Sequence, residues 1–252
     1  MPDLPEDLHR ALIDVAGVPR LLVASDFDGT IAPIVSNPAD ARPIPAAAQA
    51  LATLATLPST SAALISGRAL RDLRVLSGAP ADVHLVGSHG SEFDAGFADP
   101  IDESAKALLA ELEQTMTELT QRYPGATVEI KPVSVAFHVR NADPDHAQQA
   151  IDDALNAVRD WDIHVTEGKA VREFAVIDTD KGAALEQLRG AADASAVVFF
   201  GDDVTDEKAF SRLSDGDIGV KIGPGATLAR YRVDSPDDVA TALEVLLHAR
   251  RA

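Results

Sequence analysis

Short apolar runs that alternate with helical stretches constrain the fold of this chain more than any other feature. Four of these runs have the length and composition of buried strands. They are RLLVAS (20–25), SAALIS (61–66), HLVGSHG (84–90) and AVVFFGDD (196–203). Helix-like stretches lie between them, such as residues 45–57, whose Pro45 suits a first helical turn. Strands that alternate with helices predict βαβ units and a parallel sheet, so we expect an α/β core.

The pattern changes between residues 99 and 178. Asp99-Pro100 and Asp143-Pro144 each predict an N-cap followed by the first residue of a helix. The segment 126–142 alternates apolar and polar side chains, as expected of strands with one covered face. The order helix, two strands, helix, two strands predicts an inserted α+β cap at 99–178. The remaining residues, 1–98 and 179–252, are then the parallel-sheet core.

Two of the apolar runs end in aspartates. Asp26 and Asp28 follow the first run, and Asp202 and Asp203 close the last one. Ligands of an open parallel sheet bind beyond the carboxyl ends of its strands, so we expect these acids to converge. Carboxylates that share a partly desolvated cleft repel one another unless a cation compensates. Mg²⁺ fits this requirement, because it takes one or two acidic ligands together with waters and a substrate phosphate.

The spacing of Asp26 and Asp28 predicts a shared task. Side chains two residues apart point the same way in extended chain, so both carboxylates face one small volume. One could attack a phosphorus atom while the other handles a proton. Gly29 would permit a sharp turn, and Thr30 would supply a hydroxyl or amide donor. A calcium loop of the EF-hand type fits poorly, because its twelfth position here is Asn37; a solvated acidic turn is the other alternative.

Ser66 and Lys181 extend this set of residues. Ser66 ends a predicted strand and precedes Gly67 and Arg68, an arrangement suited to binding phosphate oxygens with help from backbone amides. Lys181 opens a predicted helix, where a cation opposes the helix dipole. A lysine in that position suggests a role in fixing the nucleophile and binding phosphate. A structurally neutral serine and an ordinary exposed lysine are the alternatives.

Composition excludes several classes of function. The 252-residue chain has a net charge of −18, which disfavours binding to nucleic acid or to an anionic membrane. It has no cysteines, so disulfides and thiolate chemistry are excluded. No run approaches the ~18 apolar residues that a membrane span needs, and the acidic N-terminus does not resemble a signal peptide. We expect a cytoplasmic protein whose partner is a small-molecule substrate.

Taken in order, DFDGT, ISGR, Lys181 and GDDVTDE resemble the four motifs of the haloacid dehalogenase-like phosphatases. The resemblance covers nearly the whole chain and implies a Rossmann-like core with an inserted α+β cap of the C2B type. It implies that Asp26 is the nucleophile that forms an aspartyl-phosphate, and that Asp28 is the general acid and then the base. It implies that Ser66 and Lys181 are catalytic residues that hold the phosphoryl oxygens, and that Gly67 and Arg68 bind the substrate. The implied ligands of Mg²⁺ are Asp26, Asp28 through its backbone carbonyl, Asp202 and Asp203, with Asp206 tuning the site.

Further stretches narrow the resemblance to the trehalose-6-phosphate phosphatases. They are NPADARP, GSHGSEF, VEIKPVSVAFHVRNAD, EGKAVREF and FFGDDVTDEKAF. The cap of that family grips the two sugar rings. His89 and Glu92 in GSHGSEF are expected to help shape the core side of the cleft. The matching cap positions here are Glu129, Lys131, Arg140, Lys169 and Glu173. A solvated outer face of the cap sheet and a core-packed His89 are the alternatives.

The resulting hypothesis is Mg²⁺-dependent hydrolysis of trehalose 6-phosphate, with a functional link to the synthase that makes this substrate. One alternative is a capped phosphatase for another sugar phosphate, of the sucrose or mannosylglycerate type. A phosphorelay receiver is disfavoured because it is roughly one small domain, without room for the insertion, and lacks D-x-D. A sugar-phosphate sensor without turnover is disfavoured by the intact pair of Asp26 and Asp28.

Overall fold

The computed structural model describes residues 4–94, 102–168, 170–177 and 180–252. The chain divides into two compact units, one formed by residues 1–98 and 180–252 and the other by residues 99–179. We call the first unit the core and the second the cap. The predicted domain boundaries, the Asp99-Pro100 pair and Lys169 all lie outside the described residues. None of the helices in the described part of the chain has the length and apolar character that crossing a membrane requires.

The core is a seven-stranded sheet with helices on both faces. Its helices are α1 (Glu6–Val15), α2 (Pro45–Ala55), α3 (Leu70–Ser77), α6 (Lys181–Ala192), α7 (Asp206–Phe210) and α8 (Pro236–Arg251). Its strands are β1 (Leu21–Ser25), β2 (Thr60–Ile65), β3 (Val83–Gly87), β4 (Glu92–Phe93), β9 (Ala196–Gly201), β10 (Ile218–Ile222) and β11 (Tyr231–Val233). The strand order is β11-β10-β9-β1-β2-β3-β4, and all neighbouring pairs are parallel except β3 and β4.

Strand β1 shows why the apolar runs are unbroken. Leu21 and Val23 belong to the hydrophobic cluster that includes α1, α2, α3 and α8. Leu22 and Ala24 belong to a second cluster that includes α6 and α7. Successive side chains of a strand point to opposite faces of the sheet, so a strand covered on both faces is apolar at most of its positions.

The register of β1 brings three strand ends to one edge of the sheet. Ser25, the last residue of β1, lies opposite Leu64 of β2 and Phe200 of β9. Asp26 follows directly, and its amide donates to the Phe200 carbonyl at 2.9 Å. Ser66 follows β2 in the same way. We call this the carboxyl edge of the core sheet.

The cap is a four-stranded antiparallel sheet with two helices on one face. Its elements are α4 (Glu103–Arg122), β5 (Thr127–Ile130), β6 (Ser134–His138), α5 (Pro144–Ala157), β7 (His164–Gly168) and β8 (Val171–Ala175). The strand order is β5-β6-β8-β7. Apolar residues of α4 and α5 pack against Phe137 and Phe174 of the sheet. The opposite face carries most of the charged and hydroxyl side chains of the strands.

The largest differences between predicted and observed element boundaries lie at the start of α4 and at the end of β3. Helix α4 begins at Glu103 because Asp102 is its N-cap, with the Asp102 carboxylate accepting from the Ala105 amide at 2.7 Å. The strand predicted over 84–90 is too long at its C-terminal end. Strand β3 ends at Gly87, and Ser88 and His89 take left-handed backbone conformations with φ of 47° and 56°.

Candidate active site

The carboxyl edge of the core sheet opens into a cavity of about 480 Å³. The residues predicted from the core motifs line this cavity together. They are Asp26, Asp28, Ser66, Gly67, Arg68, His89, Lys181, Asp202 and Asp203. Residues from β1, β2, β9, α6 and the loop after β3 therefore meet at one place, as expected for parallel strands whose carboxyl ends share an edge.

Lys181 bridges two buried carboxylates at the bottom of this site. Its Nζ donates to Asp26 Oδ1 at 2.7 Å and to Asp206 Oδ1 at 2.8 Å. The exposed fractions of the Lys181, Asp26 and Asp206 side chains are 3%, 5% and 0%. Charge-assisted hydrogen bonds of this kind are short and strong, so Lys181 fixes the direction of Asp26.

Asp206 is held from its other side as well. Its Oδ2 accepts the backbone amides of Asp202 and Asp203, both at 2.9 Å. Since Oδ1 is bound to Lys181, both oxygens of Asp206 have protein donors. Asp206 therefore anchors the turn after β9 to Lys181, a larger role than the tuning of a metal that the sequence suggested.

Burial sets the charge balance of the site. Desolvation raises the pKa of Asp26 to about 6 and that of Asp206 to about 6, although Lys181 partly offsets it. Desolvation also raises the pKa of Asp202. Burial alone would lower the pKa of Lys181, but the charges of Asp26 and Asp206 outweigh burial and raise it. Lys181 supplies one positive charge against three carboxylates, so a further cation would be stabilised here.

The carboxylates fit such a cation. One oxygen each from Asp26, Asp202 and Asp206 lie within 4.8 Å of one another. Both oxygens of Asp206 already have donors, so Asp26 and Asp202 are the side chains left to act as ligands. A pair of carboxylates at the edge of an open cavity suits Mg²⁺, which keeps several waters and takes few acidic ligands.

Asp203 does not belong to this three-carboxylate group. Its side chain is exposed, and its Oδ1 accepts the Val204 amide at 2.6 Å. Asp203 lines the cavity, but the group contains Asp206 in the place that the sequence analysis gave to Asp203. The reason is that α7 begins at Asp206 and directs this side chain back toward Lys181.

Gly29 permits the close approach of Asp202. A Cβ atom at residue 29 would lie 2.1 Å from Asp202 Oδ2, and the Gly29 φ is +84°. The Gly29 amide donates to the Ala32 carbonyl at 2.7 Å, which closes the turn. Thr30 Oγ1 then donates to Asp202 Oδ1 at 3.2 Å. The turn after β1 thus places Asp202 as well as Asp26.

Gly29→Ala is expected to displace the Asp202 carboxylate and so to weaken the binding of a cation there. A misplacement of about 1 Å near reacting groups can cost roughly 10²-fold in rate. Titration of activity with Mg²⁺ and thermal unfolding would measure the effect. Gly78→Ala is the matched control, because Gly78 has a φ of +59° but a Cβ there meets nothing within 4 Å. Equal behaviour of the two variants would show that backbone strain, rather than contact with Asp202, causes the loss.

Arg68 makes a two-point contact with Asp28. Its Nε donates to Asp28 Oδ2 and its Nη2 donates to Asp28 Oδ1, both at 2.6 Å. The Arg68 guanidinium carbon also lies 5.7 Å from the centre of the Phe27 ring. The hydrogen bond with Asp28 raises the pKa of the Arg68 guanidinium. The family resemblance implied that Arg68 binds the substrate, whereas in the structure its Nε and Nη2 pair with Asp28.

Ser66, Gly67 and His89 form one wall of the cavity. Ser66 is buried, and its Oγ accepts the Arg68 amide at 3.2 Å. The Ser66 carbonyl accepts the His89 amide at 2.9 Å. A Cβ atom at residue 67 would lie 2.4 Å from His89 Cε1, so glycine allows the imidazole to lie against the chain. His89 therefore shapes the cavity wall on the side of Gly67.

The polar face of the cap sheet holds a separate cluster. Glu173 accepts from Lys131 Nζ at 3.0 Å and from Ser134 Oγ at 2.7 Å. Glu129 Oε2 lies 3.1 Å from His138 Nε2. Glu129 and Glu173 share this face because each lies opposite Ala136 in the ladder, one on either side. Arg140 is exposed just after β6.

Lys221 on β10 was not singled out from the sequence. It is buried and donates from Nζ to the backbone carbonyl of Asp202. Glu92, which was expected to shape the core side of the cleft with His89, accepts from Ser88 Oγ and from the Leu70 amide. The signal for Lys221 was available, because a lysine interrupts the otherwise apolar strand IGVKI.

The sequence matches a known family over most of its length. A family model described as trehalose-phosphatase matches residues 24–237. A trehalose-phosphate phosphatase of Mycobacterium avium (strain 104) is 34% identical over 264 residues, covering 98% of this chain and 66% of the relative. The corresponding protein of Mycobacterium marinum is 35% identical, covering 95% and 64%. The chain thus spans about two thirds of the length of these curated relatives.

Solved structures share the architecture. Trehalose-6-phosphate phosphatase of Aspergillus fumigatus (crystal form 3) aligns with a TM-score of 0.70 at 26% identity, covering 98% of this chain and 99% of the other. The C-terminal domain of the C. albicans trehalose-6-phosphate phosphatase aligns with a TM-score of 0.69 at 24% identity, covering 98% of each chain. The predicted combination of parallel-sheet core and inserted α+β cap is confirmed.

Proposed function

Because this chain belongs to the trehalose-phosphatase family, we propose that it hydrolyses trehalose 6-phosphate to trehalose and phosphate in the presence of Mg²⁺. The observation that supports the proposal most is the buried contact of Lys181 with Asp26 at the carboxyl edge of the core sheet. It directs one carboxylate into a cavity lined by Ser66, Gly67 and Asp202. Such a site offers a carboxylate as nucleophile, hydrogen-bond donors for a phosphate group and room for a cation.

Asp26 is the nucleophile of the proposed reaction. One of its carboxylate oxygens attacks phosphorus, and the bond between phosphorus and the sugar oxygen breaks. Asp28 gives a proton to the departing sugar oxygen. The product of this half is an aspartyl-phosphate, and splitting the displacement in two makes each step easier. Lys181 serves the attack by fixing Asp26 and by offsetting the negative charge of the phosphoryl group.

The second half regenerates Asp26. A water molecule attacks phosphorus, and the bond to Asp26 breaks while Asp28 accepts the proton of the water. Ser66 Oγ and the amides near Gly67 donate to the phosphoryl oxygens. Asp26 and Asp202, with the backbone carbonyl of Asp28, would hold Mg²⁺, which offsets phosphoryl charge when it is bound.

The charged face of the cap sheet is proposed to bind the sugar. Glu173 is held by Lys131 and Ser134, so its carboxylate has a fixed direction. Preorganised charged acceptors and donors suit the hydroxyl groups of a disaccharide. Glu129 and Arg140 extend the same role, and Lys169 is proposed with them from the family resemblance alone. Cytoplasmic location and a functional link to the synthase likewise stay predictions from the sequence.

A panel of sugar phosphates tests the proposed activity. Phosphate release would be measured with and without Mg²⁺ on trehalose, sucrose, mannosylglycerate and glucose phosphates. We expect trehalose 6-phosphate to be the preferred substrate and chelation to abolish release. Preference for another sugar phosphate would correct the substrate and keep the phosphatase. Binding without any phosphate release would make the protein a sensor.

Glu173→Ala is expected to damage turnover of trehalose 6-phosphate and to spare p-nitrophenyl phosphate. Loss of a charged hydrogen bond to the sugar is expected to lower kcat/KM about tenfold or more on the disaccharide alone. Glu167→Ala is the matched control, since Glu167 lies in the same sheet on the opposite face and pairs with Arg172. Equal losses on both substrates would argue against sugar binding by this face.

A further inference from the structure

We infer that Arg68 positions the carboxylate of Asp28 as the base for the second half of the reaction, an inference that rests on the proposed function. The contact of Arg68 with Asp28 carries it, because Nε and Nη2 each donate to a different carboxylate oxygen at 2.6 Å. Two parallel hydrogen bonds fix both the position and the plane of a carboxylate, whereas one would leave it free to rotate. Asp28 is thereby held in a single direction at the cavity.

Arg68 is itself fixed by its surroundings. Its guanidinium stacks near the ring of Phe27, which is fully buried in the core. Its amide donates to Ser66 Oγ, and its carbonyl accepts the Ser88 amide at 2.7 Å. The side chain is 16% exposed, so little water competes for its donors. Because Arg68 is fixed against the core, it can hold the Asp28 carboxylate in a fixed position.

The geometry separates this role from phosphate binding. The edge of the guanidinium formed by Nε and Nη2 is occupied by Asp28, while Lys181, Ser66 and the backbone near Gly67 also line the cavity. A phosphoryl group could take that edge only if the contact with Asp28 broke. The Nε–Nη2 edge of Arg68 is thus assigned to Asp28, which makes Arg68 a positioning residue. The other N–H groups of its guanidinium are the donors that the phosphate-inhibition measurement below tests.

The step that depends on this positioning is the attack of water on the aspartyl-phosphate. The water oxygen bonds to phosphorus, the bond from phosphorus to Asp26 breaks with its electron pair, and the proton of the water passes to Asp28. On a sugar phosphate, Asp28 gives that proton to the sugar oxygen of the next turnover; on p-nitrophenyl phosphate, it returns the proton to solvent. A carboxylate that accepts from Arg68 on both oxygens is held in one direction, and proton transfer from the attacking water depends on that direction.

A substrate whose leaving group needs no proton allows hydrolysis of the aspartyl-phosphate to be studied separately from its formation. The p-nitrophenolate group departs without a proton, so the first half of the reaction on p-nitrophenyl phosphate does not need Asp28. The ratio kcat/KM reports events through the first irreversible step, whereas kcat also includes hydrolysis of the phosphoenzyme. Loss of a positioning residue for the base should therefore lower kcat and leave kcat/KM nearly unchanged.

The experiment compares Arg68→Gln and Arg68→Lys with the wild-type protein on p-nitrophenyl phosphate in Mg²⁺. We expect kcat of Arg68→Gln to fall by about 10²-fold and kcat/KM to change less than about threefold. A burst of p-nitrophenolate close to the enzyme concentration should precede the slow phase. The kcat of Arg68→Lys should lie between those of Arg68→Gln and the wild-type protein, because lysine keeps the charge but cannot supply two parallel donors. If Arg68→Gln fails to fold, Arg68→Lys provides the same test.

Two further measurements decide the assignment. The double variant with Asp28→Asn and Arg68→Gln should hydrolyse its phosphoenzyme no more slowly than the Asp28→Asn variant, because the two substitutions remove the same function.

The second measurement is inhibition by inorganic phosphate, which should be unchanged in Arg68→Gln. A drop in kcat/KM with weaker phosphate inhibition and no burst would overturn the inference and assign Arg68 to phosphate. Additive losses in the double variant would also overturn it. No turnover by the wild-type protein would overturn the proposed function and this inference together.

Discussion

Asp26→Asn is expected to abolish turnover of every phosphate ester while leaving the fold intact. The amide has no carboxylate oxygen to attack phosphorus, so the loss in kcat should be at least about 10⁴-fold. Asparagine has nearly the same volume, and Lys181 keeps its contact with the buried Asp206. Phosphate release on p-nitrophenyl phosphate and on trehalose 6-phosphate, together with thermal unfolding, would measure both expectations.

The control for this variant is Asp82→Asn, an exposed aspartate in the turn before β3. It makes the same chemical change away from the cavity and should keep full activity. Retained activity in Asp26→Asn, with the substitution confirmed by mass spectrometry, would remove Asp26 from the nucleophile role. Loss of activity together with loss of the cooperative thermal transition would point to a structural role instead.

Local sequence was sufficient to locate the strand ends that form the site. The first four residues of β1, LLVA, are apolar because the strand is covered on both faces, and the end of this run locates Asp26 just beyond the strand. The same reasoning located Ser66 after β2 and Asp202 after β9. That these ends share one edge follows from parallel pairing, and the order of the motifs supported the family resemblance that the comparisons confirm.

The pairing of side chains that are distant in sequence could not be predicted from local sequence patterns. Arg68 and Asp28 are 40 positions apart, and no pattern within either motif states that they pair. The motif suggested that Arg68 contacts the substrate, which is the interaction that an unpaired arginine beside Ser66 would make. Only the tertiary arrangement gives its donors to Asp28.

The acids of GDDVTDE show a second limit. Alternation predicts side-chain direction only while the chain is extended, and β9 ends at Gly201. Beyond Gly201 the chain turns, so spacing alone does not predict which of the following aspartates faces the site. Asp203 accepts from its own turn, whereas Asp206 opens α7 and reaches Lys181. The choice between them depends on a turn whose geometry the sequence does not encode in a periodic pattern.

Lys181→Met is expected to destabilise the core and to abolish most activity. The substitution leaves Asp26 and Asp206 buried without the cation that bridges them. Removing one partner of a buried ion pair typically costs about 3–5 kcal/mol, because the remaining charge is uncompensated. Without Lys181 the direction of Asp26 is also lost, and removing one such charged donor typically lowers kcat by at least about 10²-fold.

Denaturant unfolding with and without Mg²⁺ would measure the change in the free energy of unfolding. The loss should be largest in the presence of a chelator, since a cation bound to the carboxylates offsets part of the uncompensated charge. Adding Asp206→Asn to Lys181→Met should recover part of the stability by removing one of the two charges. Lys208→Met, an exposed lysine on α7, is the matched control and should change stability by less than about 0.5 kcal/mol. If Lys181→Met were as stable as the control in chelator, the contact of Lys181 with Asp26 and Asp206 would not be the interaction that holds this site together.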